Sequence, residues 1–450
     1  MGVSGSGRTS PSPSLETYLR SFREPRGYLN FASYGPPSTA VVETIGRLAE
    51  QASFGHPSSD LHAEDRRAVA AVARVSGFAA SGVALTTSTS LGLLQVAFGL
   101  PRGEVLVSEA EFPANLYAWW RSEEAGLTRV RALPPVADDP LAPVTPERVA
   151  AAVGPDTVAV AVSAVDFRTG ARVDLAGIRE AIGDRLLVVD GIQGFGVLDA
   201  DWAPADVLIV GGQKWLRAGW GTGFVAMSPR ALDRLRPLVA GWTGVEDAGR
   251  YDGRPHRPLP GAQRFSVTNA SPFASGALAA ALELIESVGV PAIEERIAGT
   301  TGRLIEALSA AGIPVLSPVS RSDRAGIVVA QTPAGCAPAM VGRLAATGIT
   351  ATAHGDDRVR FSVHASTAPS VAGAVVATLK AAIEYTSIGG WRRRTVGDRY
   401  CPFVRTTSDP LVPLPRSLNR DGAKVPRGPA RSPCAGPSDA SRSGQGGTRQ

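Results

Sequence analysis

The sequence predicts an α/β fold in which a mostly parallel sheet is covered by helices on both faces and is followed by a smaller α+β domain. First, short apolar segments alternate with amphipathic segments over most of the 450 residues. Second, these apolar segments contain few polar positions, as expected of parallel strands buried on both faces. Third, the pattern changes near Phe265, where a long helix-like stretch precedes a few further strands. Hydrophobic residues make up 44% of the chain, which is enough for a sizeable core.

Six apolar segments are the predicted strands of the first part, at residues 83–87, 104–108, 156–165, 185–190, 206–212 and 223–228. The segment SLGLLQVAFGL after the first strand has the composition of a buried helix. A helix-like segment with Trp119 and Trp120 follows the second strand, and VDLAGIREAI at 173–182 predicts another helix. Strands that alternate with helices in this way are typical of a parallel sheet.

The second part is predicted to be a small α+β domain of residues 265–388, and the first part a large domain of residues 28–264. The elements expected in the small domain are a long helical stretch, three strands and a last helix, at 272–311, 326–331, 349–353, 358–364 and 368–385.

The two ends of the chain are predicted to be disordered, as a leader of residues 1–27 and a basic tail of residues 389–450. The last 60 residues hold 12 Arg or Lys and 4 Asp, a net charge of +8, whereas the whole chain carries +5. A segment so rich in Arg, Pro, Ser and Gly buries too little apolar surface to order itself. A nucleic-acid-binding or regulatory function through this tail is one alternative, although the tail contains no RNA-binding motif.

Composition also bears on the cellular setting. The three cysteines permit no disulfide framework and no CxxC zinc pattern, and the five histidines show no metal-ligand spacing. No run of 18 apolar residues and no secretory signal is visible, so the expected location is the cytoplasm and no membrane is expected as a partner. Lysine is the rarest informative residue, since 43 of the 46 basic residues are arginine. A remaining lysine is a candidate for chemistry that arginine cannot perform, because an amine can lose its proton.

One such lysine lies in the segment of residues 188–224. Asp190 ends an apolar strand, Gln193 follows three residues later, and Lys214 comes just after the next apolar strand, followed by Trp215 and a glycine-rich turn. Ligands gather at the carboxyl ends of strands in open α/β sheets, so these side chains are candidates for one site. For an arbitrary pair, a buried ion pair between the carboxylate and the amine is the simpler interpretation.

The pattern D-x-x-Q, then K-W, then G-T-G resembles the class V aminotransferases, a family of enzymes that use pyridoxal 5′-phosphate (PLP). The resemblance implies that Lys214 forms the Schiff base with PLP and moves the Cα proton of the substrate. It implies that Asp190 holds the proton on the pyridine nitrogen, which makes the ring an electron sink. It also implies that Gln193 hydrogen-bonds the phenolic oxygen of the cofactor.

A phosphate cradle is expected where TTSTS, residues 86–90, ends a strand and opens a helix. A helix cap is the ordinary role of such residues, but the backbone N–H groups and the helix dipole there also suit an anion. By resemblance, Ser88, Thr89 and Gln213 contact the phosphate. Thr268 is the possible match for a threonine that reaches the phosphate of a partner subunit.

The resemblance extends to the ring face and to the substrate. Phe112 stands where desulfurases of the family place a histidine over the cofactor ring. Arg360, in VRFSVH, matches the arginine that grips the substrate carboxylate with its planar fork. In VDFRTG the family frequently has an asparagine, whereas this chain has Asp166 and Phe167. In the family this asparagine contacts the PLP oxygen. Its replacement therefore puts that contact and the reaction type in question.

The resemblance covers roughly residues 28–387 and implies the PLP-dependent transferase fold type I, with a seven-stranded, mostly parallel sheet and an active site at a homodimer interface. The implied partners are an amino-acid or related amine substrate and a second copy of the chain. The implied function is that of an aminotransferase, and a lyase or epimerase of the same family is the alternative. A desulfurase is disfavoured because the loop of residues 352–357 has no cysteine. A Rossmann dehydrogenase is disfavoured because no strand is followed by G-x-G-x-x-G.

Overall fold

The computed structural model describes residues 13–388, with ten strands and thirteen helices. The strands are β1 Val83–Leu85, β2 Glu104–Ser108, β3 Arg129–Leu133, β4 Thr157–Ser163, β5 Leu186–Asp190, β6 Val207–Gly211, β7 Gly223–Met227, β8 Ile327–Gln331, β9 Thr352–His354 and β10 Arg358–Ser362. The helices are α1 Pro13–Arg20, α2 Thr39–Ser53, α3 Ser58–Leu61, α4 Ala63–Ser76, α5 Thr89–Gly99, α6 Ala114–Glu124, α7 Pro146–Ala152, α8 Leu175–Ile182, α9 Pro229–Arg234, α10 Pro272–Glu286, α11 Val290–Ala310, α12 Ala337–Ala346 and α13 Val371–Ile388.

The large sheet has seven strands in the order β1-β7-β6-β5-β4-β2-β3. Strands β2 to β6 pair in parallel, and β7 runs antiparallel to both of its neighbours. Every residue of β5, β6 and β7 is buried, since helices cover both faces. The predicted α/β class with a mostly parallel seven-stranded sheet is therefore confirmed.

The long helical stretch predicted at 272–311 is two helices. Gly289 begins α11 with a φ of +83°, a left-handed conformation that suits glycine, and the chain bends by 79° there. Helix α10 packs against α2 and α4, and its inner face joins the apolar core of the large sheet. By packing, α10 thus lies with the large sheet, although the sequence placed its start beyond the domain boundary at residue 264.

The bend also bears on whether α10 and α11 could form a membrane span. Within residues 13–388, no single helix has both the length and the apolar composition of a membrane span. The bent pair α10 and α11 meets that criterion only when its two halves are counted together.

A second sheet, β8-β10-β9, is antiparallel and carries a core of its own with α11, α12 and α13. Its edges are extended by the early segment of the chain, because Tyr28 bridges to Thr350 and Asn30 to Ser362. The residues just before α2 therefore connect the two sheets. Arg360 lies at the middle of β10, directly opposite Thr352 of β9.

Part of the predicted leader is ordered, which corrects the expectation for residues 13–27. Helix α1 buries Tyr18, whose hydroxyl hydrogen-bonds the imidazole of His364 at 3.2 Å. Glu24 accepts from Nη1 of Arg217 at 3.0 Å, and the guanidinium of Arg217 lies 3.7 Å from the ring centroid of Phe22. The polar composition of the segment hid these contacts, which join positions far apart in the chain. The rest of the leader and the basic tail, residues 1–12 and 389–450, lie outside the described residues.

Replacing Glu24 with glutamine is expected to lower the free energy of unfolding by about 3–5 kcal/mol, because it leaves the Arg217 charge buried without its carboxylate. Only 2% of the Arg217 side chain is exposed. Urea unfolding measures the loss. Glu16→Gln is the control, since Glu16 pairs with Arg20 where both side chains are more than half exposed. Equal effects of the two substitutions would contradict this account.

Candidate active site

The polar residues of the candidate site lie at the carboxyl edge of the large sheet. Asp190 is the last residue of β5, and its register partner Ser163 is the last residue of β4. Lys214 follows the neighbouring strand β6 by three residues. The parallel arrangement therefore brings Asp190 and Lys214 to one edge, as their spacing in the sequence predicted.

Burial changes the proton affinity of both groups. It raises the pKa of Asp190 to about 6, opposed by a hydrogen bond from the backbone N–H of Ile192 and by the charge of Lys214. Burial lowers the pKa of Lys214 to about 8, with the charge of Asp190 opposing the shift and that of Arg360 adding to it. The carboxylate and the amine form no ion pair within 4.0 Å, so the simple buried pair is not what the structure contains.

Three hydrogen bonds hold the segment around Lys214 in place. The indole N–H of Trp215 donates to Oε1 of Gln193 at 2.8 Å, and the amide nitrogen of Gln193 donates to the carbonyl of Ala32 at 3.1 Å. Gly35 donates its N–H to the carbonyl of Gln213. A Cβ at Gly35 would lie 2.0 Å from the carbonyl oxygen of Lys214, so only glycine permits this approach. Gln193 thus serves in part to fix Trp215 and the early segment.

The hydroxyl groups of the predicted phosphate cradle, residues 86–90, differ in whether they already have a hydrogen-bond partner. Ser88 is the N-cap of α5 and accepts from the N–H of Leu91 at 3.2 Å, which is the ordinary capping role. Thr89 Oγ1 and Thr86 Oγ1 are buried and have no hydrogen-bond partner among residues 13–388. A Cβ at Gly211 would lie 2.9 Å from Thr89 Oγ1 and 2.6 Å from Gln213 Oε1, so those two side chains line one space.

Thr268 is exposed and lines a cavity of about 200 Å³. The same cavity is lined by Thr86 and Thr87 before α5 and by the Gly221–Gly223 turn. The cavity therefore brings Thr86 and Thr87 of the predicted phosphate cradle together with the segment that contains Thr268. Three further residues predicted to contact the phosphate do not line it, namely Ser88, Thr89 and Gln213. A contact of Thr268 with a second subunit stays a prediction.

Arg360 is a buried cation with 5% of its surface exposed. Its Nη1 donates to the carbonyl of Phe167 at 3.1 Å and its Nη2 to the hydroxyl of Ser33 at 2.9 Å, while its Nε is buried without a partner. Burial lowers its pKa to about 10. Within the described part of the chain no carboxylate pairs with this guanidinium, which is rare for a buried charge.

Three rings form a row that begins near the amine of Lys214. Lys214 Nζ is 5.1 Å from the ring centroid of Phe112, which is 42% exposed. Phe112 meets Phe167 edge to face at 5.2 Å, and Phe167 lies 5.9 Å from the imidazole of His354. Phe112 is thus near Lys214, where a ring partner was predicted.

The sequence did not identify Ser33, Thr86 or His354 as site residues. Ser33 hydrogen-bonds Arg360 across 327 positions of the chain, so no local pattern indicates it. Thr86 belongs to the TTSTS segment that was singled out, and its burial distinguishes it from its neighbours. His354 shares a face of the small sheet with Arg360, a relation that the strand alternation of residues 352–360 could have indicated.

Comparison with known proteins places this chain in a family. The model of the family described as Aminotransferase class-V matches residues 45–380. A kynureninase of Deinococcus radiodurans is 28% identical over 358 residues, which cover 74% of this chain and 84% of the relative. An isopenicillin N epimerase of Streptomyces clavuligerus is 33% identical over 228 residues, 48% of this chain and 56% of that protein.

Solved structures agree on the fold. The cystine C–S lyase C-DES has a TM-score of 0.71 at 22% identity, covering 78% of this chain and 97% of that one. Another structure of that enzyme carries glycine covalently linked to the PLP cofactor. The cysteine desulfurase of Thermococcus onnurineus has a TM-score of 0.71 at 18% identity, covering 80% and 94%. The cofactor predicted from the sequence, PLP, is confirmed, and the chain belongs to the class V aminotransferase family of PLP-dependent enzymes.

Proposed function

We propose that this chain acts on an α-amino acid, with Lys214 as the residue that binds PLP covalently and moves the Cα proton. The observation that carries the proposal is that two buried basic groups, Lys214 and Arg360, belong to one site. One is a buried amine whose pKa is lowered to about 8, and the other is a buried guanidinium without a carboxylate. An α-amino acid offers a Cα proton for the lysine and a carboxylate for the planar guanidinium.

The residues present fit the cofactor. The partnerless hydroxyls of Thr86 and Thr89, with the backbone N–H groups at the start of α5, suit the phosphate. Ser88, Gln213 and Thr268 line or adjoin the same region.

The aromatic and acidic residues fit the cofactor ring. Asp190 would face the pyridine nitrogen, where a carboxylate in a buried site stabilises a proton on nitrogen. Phe112 offers an exposed ring face 5.1 Å from the lysine nitrogen, and Gln193 keeps one N–H for the phenolic oxygen.

When bound, PLP supplies an electron sink for the bonds at the α-carbon. The chain's own residues do the rest. Arg360 orients the substrate through its carboxylate, and Ser33 and the carbonyl of Phe167 hold the fork of Arg360 in place. Lys214, with its pKa near the working pH, takes the proton from Cα and returns one. Asp190 is ionised above about pH 6 and would stabilise a proton on the pyridine nitrogen of the cofactor.

The reaction after proton removal distinguishes the branches of the family. The sequence predicted transamination, and the family's description favours it. We place cleavage of the substrate side chain first, because the kynureninase from Deinococcus shares 84% of its length with this chain. Desulfuration is disfavoured, since Cys336, the one cysteine among residues 13–388, lies in the core of the small sheet, 1% exposed.

A screen of amino acids with the purified, PLP-loaded protein tests which of these reactions the chain catalyses. Side-chain cleavage should release a fragment and leave PLP as it was. Transamination should release a 2-oxo acid and leave pyridoxamine phosphate after one turnover. Racemised substrate without either product would support the epimerase alternative. Lack of Cα-proton exchange with every amino acid would contradict the proposed function altogether.

Replacing Arg360 with lysine is expected to weaken amino-acid binding about 10- to 100-fold, because lysine keeps the charge but loses the two parallel donors. PLP content should be unchanged, and the amine without the carboxylate should bind wild type and variant equally. Spectral titration measures both. Arg358→Lys is the matched control, since Arg358 lies two residues away on β10 and pairs with Asp357. Amino-acid affinity equal to wild type in Arg360→Lys would remove Arg360 from the site.

We further propose that the chain forms a homodimer, as the resemblance implied. Exposed apolar side chains beside the cavity favour a covering partner, among them Val267 and Phe273. Sedimentation of the purified protein tests the state. A monomer at micromolar concentration with full activity would contradict it.

A further inference from the structure

The row of rings runs from Lys214 to the small sheet. Phe112 stands at the amine end, and Phe167 meets it edge to face at 86°. His354 closes the row on β9, on the same face of the small sheet as Arg360. The row thus begins near the amine of Lys214 and ends on the face of the small sheet that carries Arg360.

The backbone of Phe167 lies next to the guanidinium, since its carbonyl accepts from Arg360 Nη1 at 3.1 Å. Its ring packs between the other two rings of the row. The preceding Asp166 is engaged elsewhere, because its carboxylate pairs with Arg168. In the segment VDFRTG the aromatic side chain, and not the carboxylate, is therefore the one that joins the row.

Among the residues that the structure describes, the charged groups near the row leave no unpaired cation for a second acidic group. Lys214 is assigned to the cofactor and the Cα proton, and Arg360 to the α-carboxylate of the substrate. Arg358 is paired with Asp357 at 3.2 Å. Burial, together with Arg360 and Arg358, lowers the pKa of His354 to about 4, so its imidazole is neutral at pH 7. A negatively charged side chain would lose hydration here and gain no ion pair.

We propose that Phe167 and His354 bind the side chain of the substrate, and that this side chain is uncharged and apolar or aromatic. The inference rests on the proposed function of Lys214 and Arg360. The edge of Phe167 and the neutral imidazole suit a planar π face or an alkyl group. An amino acid with a short polar or acidic side chain would leave these rings uncovered.

Calorimetric titration of the full-length, PLP-loaded protein with carboxylates that have no amine tests the inference without turnover. We expect 3-phenylpropanoate to bind at least about tenfold more tightly than acetate, because a buried ring adds apolar contact. Succinate should bind no more tightly than butanoate. In Phe167→Ala the ratio of 3-phenylpropanoate to acetate affinity should fall to within about threefold, with acetate affinity retained.

Two further variants keep the test decisive. Phe167→Leu preserves apolar volume and should give an intermediate ratio even if the alanine variant folds poorly. Phe54→Ala is the matched control, since Phe54 is 76% exposed at the end of α2, and its ratio should equal that of wild type. Equal affinity for acetate and 3-phenylpropanoate in wild type, or an unchanged ratio in Phe167→Leu, overturns the inference. Failure of the proposed function would appear differently, as the lack of covalent PLP on Lys214.

Discussion

Lys214→Ala is expected to lower Cα-proton exchange by more than roughly 1,000-fold, because the variant loses both the covalent attachment of PLP and the base at Cα. Borohydride reduction of wild type followed by peptide mapping should place the pyridoxyl group on Lys214. Lys380→Ala is the control, since Lys380 is exposed on α13 and should be dispensable. Pyridoxyl on Lys380, or activity retained in Lys214→Ala, would refute the assignment.

The lowered pKa of Lys214 gives the same prediction a pH dependence. Capture of PLP needs the neutral amine, and a pKa of about 8 leaves about a tenth of the molecules neutral at pH 7. The rate of capture by cofactor-free protein should therefore rise with pH up to about 8 and then level off. A rate that still rises steeply at pH 10 would indicate an ordinary, exposed lysine.

Asp190→Asn is the second substitution with a large expected effect. Proton exchange should fall roughly 100- to 1,000-fold while PLP still binds, because asparagine keeps the shape but removes the charge opposite the pyridine nitrogen. Asp206→Asn is the matched control, since Asp206 is equally buried but lies at the opposite end of β6, bound to Arg179 and Arg230. It should lower stability and leave exchange per folded molecule unchanged.

The free energy of unfolding of the Asp190→Asn variant distinguishes a catalytic role of Asp190 from a structural one. Its folded pKa of about 6 lies above the usual 3.8, so the folded state favours the protonated form. Stability is lost as pH rises from about 4 to 6, and above pH 6 the buried charge costs about 3 kcal/mol. Cofactor-free Asp190→Asn should therefore be no less stable than wild type at pH 8. A marked loss of stability would indicate that Asp190 serves the fold.

Local patterns in the sequence predicted the buried strands of the large sheet and the candidate site residues that follow them. The buried strands β5, β6 and β7 are continuous apolar runs, and their ends carry Asp190 and Lys214. The strand β3 was missed because RVRAL exposes most of its side chains at the edge of the sheet. The break before α11 was missed because a single glycine interrupts an otherwise helical pattern.

The parts of the site that escaped prediction are those made by distant segments. The hydrogen bond from Arg360 to Ser33 and the ring contact of Phe167 with His354 join residues far apart in the chain. The approach of Gly35 to Lys214 depends on the early segment crossing between the two sheets. Resemblance predicted the roles of single residues, but the lack of a carboxylate at Arg360 is visible only once the neighbours are in place.

The ion pair of Glu24 with Arg217 has a consequence for truncation of the chain. The family match begins at residue 45, beyond Tyr18, Glu24 and Gly35. A protein cut at that position would leave the Arg217 guanidinium facing an emptied apolar pocket only three residues from Lys214, and would expose one edge of the small sheet. The folded unit thus begins before the segment that the family model matches, and a shortened gene product that begins at residue 45 should aggregate when expressed.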